Sequence, residues 1–156
     1  MSLERAKEYL RSKGYESHII IPERSSATVE EAARALGCEP GMIAKTLSFL
    51  QNDKPVLILA EGMARIDNRK YKDRFGCKAK MIPPELVEEM TGHGIGGVCP
   101  FGVKEDVKVY LDESLKRFFV SHASGGRHDT TVGLSPDELE QITQPVAWVD
   151  VCALRE

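Results

Sequence analysis

The sequence predicts an α+β fold, a mixed β-sheet with helices around it, in a single domain. Two apolar runs, residues 42–50 and 54–60, are joined by Gln51-Asn52-Asp53, as the strands of a β-hairpin are. Later strand-like runs at 107–111 and 130–134 are separated from the hairpin by helical patterns, as crossover connections require. Capping residues mark several helix ends. Hairpins and helical crossovers together favour a mixed sheet over a doubly wound parallel one.

Taken in order, residues 3–13 place Leu3, Ala6, Lys7 and Leu10 at helical spacing, with Gly14 as the stop. Residues 17–21 read as a strand closed by Pro22. Thr28 and Glu31 have the capping-box spacing and open a helix over 30–36 that Gly37 ends. In the first hairpin strand Ile43, Lys45, Leu47 and Phe49 share one side, which puts Lys45 on an apolar face. A lysine there either snorkels outward at the strand end or points its ammonium into a pocket.

Asp67 caps a helix that runs to about Phe75 and stops at Gly76. Residues 78–82 look like a short strand, and 83–90 begin with prolines and acids as a helix N-terminus does. Residues 107–111 and 117–121 alternate as strands, a glycine turn occupies 123–128, and 130–134 form another strand. Ser135, Pro136 and Glu138 are a helix start, and 146–149 are expected to close the sheet.

The chain has 156 residues, enough for one domain that buries about 68–70% of its unfolded surface. Its longest apolar run is about that of residues 56–60, far short of a membrane span. The first residues lead straight into an amphipathic pattern, so no signal peptide and a cytoplasmic location are expected. Cys38, Cys77, Cys99 and Cys152 are widely spaced with no CxxC, which points to reduced thiols and to no metal site or cofactor. The net charge of −3 argues against a general nucleic-acid coat. It is unevenly spread. Seven basic residues from Arg65 to Lys80 (Arg65, Arg69, Lys70, Lys72, Arg74, Lys78, Lys80) face only Asp67 and Asp73, a local charge of 7 − 2 = +5. That segment is either a solvated helix face or a phosphate contact.

Residues 92–102 hold five of the chain's 13 glycines. Gly92, Gly94 and Gly97 satisfy GxGxxG, but a helix precedes them and Pro100 discourages one after, so the dinucleotide fingerprint lacks its context. No Gly-Lys-Ser/Thr follows, which removes a Walker loop. What survives is a set of backbone N–H groups able to hold a carbonyl oxygen, an oxyanion or a phosphate. No nucleophile–base–acid set is legible. Cys99 is either a nucleophile paired with a histidine or a small buried residue that packs the loop.

Read as a series, Glu31-Ala32-Ala33-Arg34-Ala35-Leu36-Gly37, Ala44-Lys45-Thr46-Leu47, Gly96-Gly97-Val98-Cys99-Pro100-Phe101-Gly102, Ser124-Gly125-Gly126-Arg127 and Val132-Gly133-Leu134-Ser135-Pro136 resemble the YbaK/prolyl-tRNA-synthetase-associated domain family. The resemblance spans roughly residues 5–145 and implies a barrel-like mixed sheet wrapped by helices. It implies deacylation of mischarged tRNA, with Cys- or Ala-tRNA(Pro) as substrate, and prolyl-tRNA synthetase as a partner. By the same resemblance Lys45, Gly96 and Gly97 are catalytic. Thr46, Cys99, Pro100, Ser124, Gly125, Gly126 and His128 bind substrate, and Arg65, Arg69, Lys70 and Lys72 contact tRNA. An aminoacyl ester is already activated, so positioning and oxyanion stabilisation suffice, and either the substrate's thiol or a water attacks. Cys99 stands where relatives often carry Ser, and His128 where a second Arg is common. Pocket polarity, and with it amino-acid choice, is therefore expected to differ. The alternatives are a non-catalytic module that binds an aminoacyl or nucleotide group, and a hydrolase that uses Cys99.

Overall fold

The computed structural model describes residues 2–20, 29–94, 98–124, 126 and 130–154. In chain order α1 (Ser2–Ser12) precedes β1 (Ile19–Ile20), α2 (Val29–Leu36) and the hairpin β2 (Ala44–Gln51) and β3 (Lys54–Glu61). Then come β4 (Ala64–Ile66), α3 (Asn68–Phe75), α4 (Val87–Thr91), β5 (Lys108–Asp112) and β6 (Ser121–Ser124). The chain finishes with β7 (Thr131–Leu134), α5 (Pro136–Thr143), β8 (Ala147–Val149) and β9 (Cys152–Leu154).

The fold is mixed α/β, as expected. β2 pairs antiparallel with β3, and β3–β5 and β5–β8 are parallel. The hairpin turns on Asn52 and Asp53 at φ 52° and 62°, the left-handed pair of a tight two-residue turn. Asp67 caps α3 by accepting from the Arg69 and Lys70 N–H groups. Ser135 and Glu138 form the reciprocal capping box of α5. The proposed cap at Thr28 and the end of the 17–21 strand lie outside the described residues; of that run, β1 keeps only Ile19 and Ile20.

The mixed sheets expected are present, and no closed barrel forms among the described residues. Their strands fall into the groups β2-β3-β5-β8, β1-β7-β6 and β4-β9. Among the described residues, β6 meets β2 only through the bridge Ile43–His122, and β8 is an edge instead of a closure. Among the described residues β1, β6 and β7 are two to four residues long. Residues 117–121 also depart from expectation. Asp112 caps a 3-10 turn over Glu113–Arg117, and Phe119 stands 95% exposed, so β6 begins only at Ser121. Residues 78–82 contribute one bridge, Met81 to Phe49. β4 and β9 escape the sequence pattern because each is three residues long and exists through the other.

The β2–β3–β5 sheet is buried on both faces, which explains the continuous apolar run of β3. On one face Leu57, Leu59, Val109 and Leu111 pack with α1, α5, Cys99 and Phe101. On the other, Val56, Ile58, Ala60 and Tyr110 pack with Phe49 and with Tyr71 of α3. The Tyr71 ring lies 5.2 Å from Phe49 and 4.8 Å from Phe75, and this aromatic set fixes α3 on the sheet.

Candidate functional site

Lys45 sits in β2 opposite Ala60, and by alternation its side chain leaves the sheet on the face that holds Phe49 and α3. It is half-buried, and its ammonium donates to the Ala64 carbonyl at the start of β4. The isolated parallel bridge Ile43–His122 brings β6 to the start of β2, and β6 ends at Ser124, two residues beyond His122. Farther along the same edge, Leu50 N–H donates to the Lys80 carbonyl and Ile82 N–H to the Ser48 carbonyl. The outer edge of β2 is thus covered by β6 at one end and by residues 80–82 at the other. Between them, at Thr46 and Leu47, no described segment pairs with it. Both covering segments lead into the two glycine-rich turns.

Thr46 points to the opposite face, and its Oγ1 is enclosed with no hydrogen-bond partner among the described residues. Cys99 belongs to that opposite side as well, and Pro100 beside it is buried. The structure therefore sets Thr46 and Cys99 across the sheet from Lys45, while Ser124 ends β6, which reaches β2 at the Ile43–His122 bridge. Gly96, Gly97, Gly125 and His128 lie outside the described residues, while Gly126 is buried at φ 96°.

The stems of the 92–102 loop are fastened to each other. Gly92 ends α4 at φ 93°, and the Thr91 hydroxyl donates to the Val87 carbonyl at 2.8 Å and accepts the His93 N–H at 3.1 Å. His93 Nε2–H donates to the Phe101 carbonyl at 2.6 Å, and Arg5 Nε of α1 donates to the Gly102 carbonyl at 2.8 Å. Sequence reasoning missed this clasp, because Arg5 meets the loop across 97 residues. Burial, and secondarily the charge of Arg5, hold the His93 pKa below the ordinary value. Burial alone does the same to His122.

Cys99 is fully buried, with Sγ 3.6 Å from His93 Nε2 and its thiol directed at the Phe101 carbonyl at 3.7 Å. Burial pushes this thiol up to about 12, so it packs the loop as a neutral group and is not a poised nucleophile. Cys152, beneath Lys45 and Lys70, is also pushed up to about 12, chiefly by burial and then by Asp112. Among the described residues no group of three or more His, Cys, Asp or Glu is placed to hold a metal ion. No described helix is long and apolar enough to cross a membrane.

The basic segment is sorted by the fold. Arg65 lies in β4 opposite Ala153. Lys70 Nζ lies 3.1 Å from Asp150 Oδ1 and 3.1 Å from the Cys152 carbonyl, in a pair that is largely exposed to solvent. Arg69 and Lys72 instead line a cleft of about 540 Å³ together with Asn68, Lys78 and Ala79.

The model of the aminoacyl-tRNA editing domain matches residues 23–142. YwhH of Bacillus subtilis, whose function is uncharacterised, is 44% identical over 97% of this chain and 98% of its own length. EbsC of Enterococcus faecalis, described as a candidate Cys-tRNA(Pro)/Cys-tRNA(Cys) deacylase, is 30% identical over 74% of this chain and 72% of its own. A crystal structure described as a candidate trans-editing enzyme for prolyl-tRNA synthetase superposes with a TM-score of 0.87, at 32% identity over 97% of both chains.

Proposed function

The chain belongs to the aminoacyl-tRNA editing domain family, and from that membership we propose that it is a trans-acting deacylase that hydrolyses the ester of mischarged tRNA, Cys- or Ala-tRNA(Pro) first among them. The observation that carries this reading is the half-buried Lys45 ammonium held at the Ala64 carbonyl, on the strand whose outer edge β6 reaches at the Ile43–His122 bridge. An ammonium held at a carbonyl in a half-buried position is fixed in direction before substrate arrives, and preorganised charge is what stabilises an oxyanion.

In this reading the ester lies over Thr46 and Leu47. Lys45 meets its developing negative charge or the terminal ribose, and Gly96 and Gly97 N–H groups supply further donors. The attacking group is a water or the substrate's own thiol, so the chain needs no nucleophile. This agrees with the buried, neutral Cys99. Action in the cytoplasm beside prolyl-tRNA synthetase follows from the same reading.

The test is hydrolysis of Cys-, Ala- and Ser-tRNA(Pro) by the wild type and Lys45→Ala. Turnover of one of these, lost in the variant, supports the proposal. Binding of an aminoacyl-adenosine analogue with no turnover of any misacylated tRNA overturns it in favour of a binding module.

A further inference from the structure

The basic residues between Arg65 and Lys80 have different fates. Lys70 is tied to Asp150 and to the Cys152 carbonyl, and Arg74 lies over the Phe75 and Tyr110 rings at 5.3 and 6.0 Å. Arg69, Lys72 and Lys78 converge on one cleft, and none of them makes an ion pair among the described residues. Three unneutralised cations around a concave space repel one another and concentrate counter-ions. An entering polyanion releases both penalties.

The cleft also lies on Lys45's side of the sheet. α3 packs Tyr71 against Phe49, which shares a face with Lys45. The carbonyl that holds the Lys45 ammonium is that of Ala64, whose strand leads through Arg65 directly into α3.

We propose that the cleft of Arg69, Lys72 and Lys78 binds the phosphate backbone of the RNA that carries the ester, with its 3′ end running over β4 to Lys45. This rests on the deacylase reading above. It adds Lys78 to the RNA contact and removes Lys70, whose charge is paired with Asp150.

The probe is an uncharged acceptor-stem minihelix RNA, with binding followed by fluorescence anisotropy across a potassium chloride series. For Arg69→Gln/Lys72→Gln/Lys78→Gln the slope of log K against log salt should shrink by about 2–3, at 0.7–0.9 per lost phosphate contact. Lys70→Gln should keep the wild-type slope. Thermal unfolding verifies that the triple variant is folded, and Lys78→Gln alone should remove about one contact if it is not. A triple variant with the wild-type slope, or a Lys70→Gln slope reduced as much as that of the triple, overturns the proposal. So does displacement of the RNA by polyglutamate at equal charge, which would assign the cleft to an acidic protein. Because the probe RNA carries no aminoacyl ester, a chain that binds it through the cleft yet cleaves no ester sinks the deacylase reading alone. A chain that cleaves esters while the triple variant keeps its slope sinks the cleft alone.

Discussion

The Arg117 guanidinium reaches the Glu61 carboxylate at 2.6 Å, with the Glu61 side chain wholly out of solvent and that of Arg117 half exposed. Glu61 also accepts the Met63 N–H at 2.6 Å and lies in register with Ala44, one residue before Lys45. The pair therefore pins the 3-10 turn before β6 to the open end of the hairpin. Arg117→Ala leaves a buried carboxylate without its cation. We expect a loss of about 2–3 kcal/mol in urea unfolding, below the 3–5 typical of a wholly buried pair because Arg117 is half solvated. Unchanged stability would show that the backbone N–H suffices for Glu61.

Lys45→Ala should lower kcat for deacylation by about 10²–10³, the usual cost of one oxyanion partner. Lys45→Arg keeps the charge but not the compact head, and should recover only part of the rate. Equal rates for Lys45→Ala and wild type would remove the residue from the chemistry.

Acidification should destabilise the chain. The buried imidazoles of His93 and His122 hold their pKa values below the unfolded value of about 6.5. The unfolded state therefore binds protons first. Stability is complete above about pH 6.5 and falls below it, by at most about 1.4 kcal/mol per histidine per pH unit. Urea midpoints at pH 7.5 and 5.5 measure this, and His93→Gln should flatten the difference.

With its thiol at about 12, Cys99 is ionised to roughly one part in ten thousand at pH 8 and should resist thiol reagents in the native state. Cys38 and Cys77, both partly exposed, should react first. Cys99→Ala should leave deacylation measurable, and its abolition in a folded variant would revive a cysteine-dependent mechanism.

Gly102→Ala should weaken the loop clasp. Gly102 has φ 71°, and a Cβ there would stand 2.5 Å from the Arg5 carbonyl oxygen. Left-handed strain plus that contact predicts a loss of about 1–3 kcal/mol, read by thermal unfolding.

What was legible in the sequence is what is local. The hairpin follows from period-two alternation and two turn residues, and α3 and α5 from Asp67 and Ser135, each a contact within a few residues. β4 and β9 were not legible, since Ala64 meets Leu154 only after the chain has folded. Residues 117–121 misled because Phe118 and Phe119 imitate strand alternation, whereas the long-range pull of Glu61 on Arg117 bends the chain there. Lys45 could be read as an anomaly on an apolar face. Its hold on Ala64 depends on a partner 19 positions away, and the approach of β6 to its strand on the Ile43–His122 bridge, whose ends are 122 − 43 = 79 positions apart. Spacing alone cannot supply such partners, and the grouping came from the family resemblance.

The thin seam between β2 and β6 has a kinetic meaning. β6 is joined to β2 through the single parallel bridge Ile43–His122, which closes a long stretch of chain, and loop-closure entropy must be met before that contact returns anything. The β2–β3 hairpin, closed by two residues, has no such delay. The seam is thus a late folding event: a chain that opens there can keep its hairpin and much of its apolar core while losing the approach of β6 to β2. Loss of editing on mild heating would then precede loss of secondary structure.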